Sequence, residues 1–266
     1  MRQEAEIIQS LAKDNWHSIY DLTKGSNYYA TFTNNVWSFA SGQEISTINN
    51  IPYIRYFQVS NVNRDTSGNI ATSGTDDPST QKISVILNYG LNYVSSSTLV
   101  FYLTRSYNNQ TFWQTDWSGG SGQTGPIPNP GNRFDAADSN INYASTTGSI
   151  YMTTPTSTPA CLTSSILDTG VSGGAGFNSL LWQGSLGTGG VVQFQIAFSN
   201  SSSGPWNYYG PTSTSDYYTP NPNVSVAFPT TGSASPQNNR YLRYKVCLST
   251  SSTTPQVNDI IINWTP

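Results

Sequence analysis

Between residues 5 and 22, Ala5, Ile8, Leu11, Ala12, Trp16, Ile19 and Leu22 recur at helical spacing, and no later stretch of the chain repeats that period. The spacing predicts an amphipathic helix with Glu6, Lys13, Asp14, His17, Asp21 and Lys24 on its polar face and Gly25 as its stop. Everything beyond it reads as strands, turns and loops. A single N-terminal helix ahead of continuous β-structure constrains the fold to mainly β, with a sheet laid along the helix and further antiparallel sheet after it. No Ser, Thr, Asp or Asn precedes the helix as an N-cap, so a longer helix running in from upstream of Met1 is expected. A frayed terminal helix packed on its own domain is the other reading.

A length of 266 residues accommodates one large β domain or two ordinary ones, at roughly 150 residues per domain. Only 9% of the residues are charged while 13% are aromatic, with 17 Tyr and 7 Trp set among Ser, Thr, Asn and Gly. Such a surface is polar but uncharged, as in secreted or surface-displayed β-proteins. The net charge is −3 and the 11 Lys and Arg residues form no basic run, which argues against nucleic acid and anionic membrane surfaces as partners. No stretch approaches the ~18 consecutive apolar residues that would span a bilayer. No signal peptide precedes the helix, so an export signal and any membrane anchor are expected upstream.

Along the chain, 28–32 and 36–39 are short β-prone runs on either side of Asn34-Asn35, a tight-turn pair. Residues 53–62 read as a longer strand, closed by the turn cluster 63–68. The stretch 82–89 alternates Ile83, Val85 and Leu87 against Ser84 and Asn88, and 99–104 follows in the same style. With the helix these predict an α+β domain over residues 1–116. From Trp117 the composition shifts to Gly, Ser and Pro, which predicts a linker arm over 117–159 with short strands at 140–144 and 148–152. Residues 160–266 carry candidate strands at 162–168, 177–183, 191–199, 223–228, 241–248 and 257–264, the pattern of an antiparallel β-sandwich.

The helix-then-sheet order, with Ile-Pro-Tyr-Ile-Arg-Tyr-Phe at 51–57, Asn-Val-Asn-Arg-Asp at 61–65 and Lys-Ile-Ser-Val-Ile-Leu at 82–87, resembles the head of a minor type IV pilin or type II secretion pseudopilin. The family's processing site, Phe-started mature end and glutamate at the fifth mature position have no counterpart here. The resemblance implies a pilin-like α+β domain, other pilin or pseudopilin subunits as partners, and membrane attachment only through an N-terminal helical segment absent from this sequence. The second domain, with Ile-Leu-Asp-Thr-Gly at 166–170, Tyr-Leu-Arg-Tyr at 241–244 and Val-Asn-Asp-Ile at 257–260, resembles an accessory sandwich of bacterial surface proteins. The implied role is a non-enzymatic, extracellular or cell-surface protein that acts in assembly, capping or display on a pilus, with adhesion as a second role. Two alternatives stand beside it: a carbohydrate-binding module of a secreted polysaccharide-degrading enzyme, and a phage or cell-surface fibre domain.

Searching for chemistry gives no catalytic set, no metal site and no cofactor. His17, the only histidine, sits at helical neighbour spacing from Asp14 and Asp21 and reads as a solvated surface side chain. Asp116, Asp135, Asp138 and Asp168 could in principle supply paired carboxylates for glycoside hydrolysis, but each lies in a turn or linker context, where acidic residues are commonplace. Asn61, Asn63 and Asp65 alternate like the first ligands of a calcium loop, but the glycine falls at Gly68 and no glutamate closes the series. Five aromatics in Pro/Gly/Ser-rich context, Trp206, Tyr208, Tyr209, Tyr217 and Tyr218, are the candidate ligand-binding residues, suited to stacking on surface glycans. They would otherwise plug the open end of the sandwich. Cys161 and Cys247 allow one pairing, expected as a disulfide because the strand that opens a sandwich often lies beside one that closes it; two buried thiols are the competing reading.

Overall fold

In the computed structural model, which describes residues 1–105, 109–117, 133–143 and 148–266, the helical period is realised in two pieces. Helix α1 (Arg2–Asp14) stops where Asn15 turns extended, and α2 (His17–Tyr20) adds one further turn. The side chain of Asn15 accepts a 3.0 Å hydrogen bond from the His17 amide, the competition for backbone donors that makes Asn a poor residue for a helix interior. The break keeps Trp16 and Ile19 in the core and turns His17 inward as well. His17 is therefore not the solvated side chain expected: it is 8% exposed, with Nδ1 3.1 Å from Asp21 Oδ1 and Nε2 3.3 Å from Arg105 Nη2. Arginine only donates, so Nε2 accepts and Nδ1–H faces Asp21, which fixes the tautomer.

The chain forms two compact units, Met1–Asn108 and Asn109–Pro266. In unit 1, β1 (Tyr28–Thr33), β2 (Val36–Ser41), β3 (Glu44–Ile48), β4 (Ile51–Arg64), β5 (Ile70–Ala71), β6 (Thr75–Tyr89) and β7 (Ser95–Thr104) build an antiparallel sheet in the order β2-β1-β4-β6-β7, with β3 and β5 also on β4. Its registers follow the alternation in the sequence. Phe57 pairs with Val85 and Val59 with Ile83, all four fully buried against Ile8, Ala12, Trp16 and Ile19. The predicted Asn34-Asn35 turn joins β1 to β2 with both residues at positive φ, and Asn49-Asn50 repeats it between β3 and β4. Asn tolerates this left-handed conformation, which two-residue hairpin turns require.

Glu4, on the buried side of α1, has no exposure at all. Its carboxylate accepts from the Ala30 amide at 2.8 Å and lies 3.2 Å from Arg55 Nε, which also pairs with Glu44. Burial pushes the Glu4 carboxyl above the ordinary carboxylate range, against the Ala30 hydrogen bond and the Arg55 charge. Between that ordinary range and the raised value the folded chain holds a proton the unfolded chain has lost, so this group's contribution to stability falls as pH rises through the window. Glu4→Gln is expected to flatten the pH dependence of unit 1 melting just above the ordinary carboxylate range while still accepting from Ala30. Calorimetric scans across that range check it, and an unchanged slope would contradict it.

Unit 2 is an antiparallel β-sandwich. One sheet contains β8 (Gln110–Gln114), β10 (Ile141–Asn142), β11 (Ile150–Met152), β14 (Ala175–Ser185), β16 (Val226–Ala227), β17 (Gln237–Asn239) and β19 (Gln256–Thr265). The other has five strands: β9 (Phe134–Ala137), β12 (Ala160–Ser164), β13 (Leu167–Asp168), β15 (Gly190–Ser199) and β18 (Tyr241–Thr250). Alternate residues of β18, Leu242, Tyr244, Val246 and Leu248, are fully buried in one core with Trp182, Phe194 and Ile260. Within that core the Trp117 indole donates to the Tyr244 hydroxyl at 3.0 Å, and Tyr244 donates in turn to Gln114.

The boundaries differ from the composition-based ones of 1–116, 117–159 and 160–266. Strand β8 belongs to unit 2, where it pairs with β19, and the described part of 117–159 is no free arm. Trp117 and Ile150 are fully buried, Ile141 and Met152 nearly so, β9 pairs with β12, and β11 pairs with β19. Strands of two to four residues are too short to show alternation, and their partners lie far away in sequence. The Gly/Ser/Pro run within 118–132, and residues 144–147, fall outside the described residues.

Candidate functional site

After β15 the chain makes a long excursion, 200–225, that lies back along the strand it has just left. Tyr209 and Ile196 exchange backbone hydrogen bonds at 2.7 and 2.9 Å, as do Tyr218 and Phe194 at 2.9 and 2.8 Å. The Gln195 amide donates to the carbonyls of Thr214 and Asp216 at 2.8 and 2.9 Å and ties down the segment between. Gly210 packs so closely on the Asp216 backbone that a Cβ there would meet its carbonyl at about 2.4 Å. The excursion is thus held by the sheet.

This pairing sorts the five predicted aromatics by parity. Tyr209 and Tyr218 face the same way as Ile196 and Phe194, inward. Tyr218 is 1% exposed against Phe228, and burial pushes its hydroxyl up to about 12; Tyr209 stacks on Phe198 at 5.8 Å. These two serve as the plug. Trp206 and Tyr208 have the opposite parity and are half-buried on the outer face of the five-stranded sheet, while Tyr217 is exposed.

Under the two outer rings lies a row of cations on β18. Arg243 sits 4.9 Å from the Trp206 ring centroid and Lys245 Nζ 4.3 Å from that of Tyr208, both within cation–π range. Arg243 is also paired with Asp135 of β9 at 3.0 Å. Burial raises the Tyr208 hydroxyl above the ordinary tyrosine value, opposed by Arg243 and by hydrogen bonds from Arg243 and Thr163. The Cys161–Cys247 disulfide links directly paired residues of β12 and β18 next to this row. Sequence reasoning found the rings but missed the cations, since nothing local marks Arg243 and Lys245 as their seats.

The other candidate groups are engaged elsewhere. Asp65 accepts from the Ser67 and Asn69 amides at 2.9 Å, so the carboxylate that suggested a calcium loop closes a turn. Among the described residues no group of three or more His, Cys, Asp or Glu converges as a metal set. Asp168 makes a bidentate pair with Arg240 at 2.8 and 2.9 Å, which lowers its carboxyl below the ordinary range. Asp116 pairs with Arg133, and Asp138 accepts from the Cys161 amide at 2.8 Å.

No family model and no curated protein matches this chain. Among solved structures it matches carbohydrate-binding modules of the β-sandwich superfamily, at 10% identity over 92% of this chain and 100% of that one, with a TM-score of 0.28. It also matches the VP2 subviral particle of infectious bursal disease virus, at 11% identity over 93% of this chain and 66% of that one, TM-score 0.29. The Gx strain of the same virus gives 9% identity, 91% and 66% coverage, and TM-score 0.26. At these scores none of them assigns a ligand to this chain. The pilin resemblance does not hold. Strands dominate both units, and the helix ends after 13 residues at Asp14. With it go the pilin-like reading of residues 1–116 and the expected pilin or pseudopilin partners. No helix among the described residues is long and apolar enough to cross a membrane.

Proposed function

We propose that this chain is a non-enzymatic, surface-exposed protein whose C-terminal sandwich binds glycan on the outer face of its five-stranded sheet. The observation that carries this reading is the Trp206–Tyr208 pair, two half-exposed rings seated on Arg243 and Lys245 by a segment bonded to β15. An aromatic face is apolar and electron-rich, so it stacks on the C–H face of a sugar ring, and rings held in place beforehand lose little freedom on binding. Thr163, Asp135 and Lys245 beside them supply polar partners for hydroxyls. The disulfide favours an oxidising, exported setting. The reading includes no catalytic step: His17 is buried against Asp21 and Arg105, and Asp116, Asp135 and Asp168 are each held by an arginine.

The test is a panel of insoluble and soluble polysaccharides in pull-down and affinity electrophoresis. Binding is expected to at least one, with Trp206→Ala weakening it by about ten-fold or more, the scale of a buried aromatic anchor in an interface. Tyr217→Ala is expected to have a smaller effect. Binding that survives the loss of both Trp206 and Tyr208 would remove this surface from the reading, and turnover of any polysaccharide would contradict the non-enzymatic part.

A second reading concerns unit 1 and assembly. Exposed Val36 and Trp37 at the β1–β2 turn border a groove of about 440 Å³ with Ile7 and Leu11 of α1, and Ile45, Ile48 and Ile51 are exposed on the next hairpin. Apolar side chains exposed along a groove, as Val36 and Trp37 are here beside Ile7 and Leu11, are a common mark of an interaction surface. Concentration-dependent sedimentation, lost in Trp37→Glu, is the outcome expected if unit 1 is the assembling half.

A further inference from the structure

The four cations of unit 2 are not alike. Arg133, Arg240 and Arg243 are paired with Asp116, Asp168 and Asp135 respectively. Lys245 is the unit's only lysine. Among the described residues it has no carboxylate within 4.0 Å and no side-chain hydrogen bond, and its ammonium meets only the Tyr208 ring. One ring face leaves most of the three ammonium donors unfilled. The strip formed by Arg243, Lys245 and Asp135 therefore carries a net positive charge within a chain whose overall charge is −3. The Arg243 Nε is in addition buried, with no hydrogen-bond partner among the described residues.

We infer that the glycan bound by the Trp206–Tyr208 surface is acidic, bearing a carboxylate or sulfate that Lys245 receives while the rings hold the sugar face. The inference rests on the glycan reading of the same surface and adds the charge of the ligand to it. A neutral glycan would offer Lys245 only hydroxyl acceptors and leave its charge uncompensated. An anionic group beside Tyr208 would fill the free donors in a site already partly withdrawn from water, where a charge-assisted hydrogen bond is stronger than a neutral one. A lone anion lacks the stacking face, so the rings and the lysine are expected to act together.

Affinity electrophoresis of the full chain in gels containing polygalacturonate, dextran sulfate or neutral dextran, together with neutral xylan, tests this. Retardation by one acidic polymer at least ten-fold stronger than by either neutral one is expected, weakening with salt and lost in Trp206→Ala. Polygalacturonate against dextran sulfate separates carboxylate from sulfate. Lys245→Gln should bring the acidic-to-neutral ratio close to one, with thermal melting confirming that the variant is folded. Equal, Trp206-dependent retention by neutral polymers, or a folded Lys245→Gln variant with its preference intact, would overturn the acidic ligand and leave the glycan reading standing. Acidic retention that survives Trp206→Ala would show charge attraction without a stacking site and overturn the inference. No retention by any polysaccharide in the wider panel would overturn both.

Discussion

Replacing Ile8 by Asp is expected to unfold unit 1 and leave unit 2 folded. Ile8 has no exposure and packs in the core built from Phe57, Val59, Ile83 and Val85. Losing its burial removes about 1.5–3 kcal/mol. The new carboxylate enters this apolar layer, and a charge left unpaired there costs several kcal/mol more. A domain is held by about 5–15 kcal/mol, so the sum is a large share of what unit 1 has. The same change at Gln9, on the exposed side of α1, is expected to stay within about 0.5 kcal/mol. Calorimetry checks this: one transition disappears in Ile8→Asp and the other keeps its midpoint. Loss of both, or of neither, would show that the helix does not hold unit 1 together or that the two units do not melt apart.

Removing the Cys161–Cys247 bridge is expected to have the largest effect on unit 2. The bridged residues are 86 apart in sequence, and the chain-entropy estimate for closing such a loop is about 4 to 5 kcal/mol. The paired Cys161→Ser and Cys247→Ala variant should therefore melt on the order of 10 °C lower in its unit 2 transition. Unit 1 contains no cysteine and should be unaffected. A shift of only a degree or two would mean that the β12–β18 register, held by the flanking backbone pairs, already supplies the constraint.

That register also explains what could be read early and what could not. Helical and strand periods are local, so the face formed by Ile8, Ala12, Trp16 and Ile19, the alternation of Ile83, Val85 and Leu87, the Asn34-Asn35 turn and most strands of the sandwich were legible in the sequence. The pilin resemblance drew on the same local order of helix and strands, and that order does not specify a fold family.

By itself, then, the sequence determined that the chain is mainly antiparallel β with one N-terminal helix, and where most strands run. Only the tertiary structure decided that the short segments of 134–152 join the sandwich, that Glu4 and His17 are buried, and that Cys161 lies opposite Cys247. It also decided that Tyr209 and Tyr218 point inward while Trp206 and Tyr208 face out over Arg243 and Lys245. The physical reason is that side-chain direction in a loop is fixed by the strand it bonds to. Here that strand is β15, and its own neighbour β18 supplies the cations from some 40 residues further along the chain.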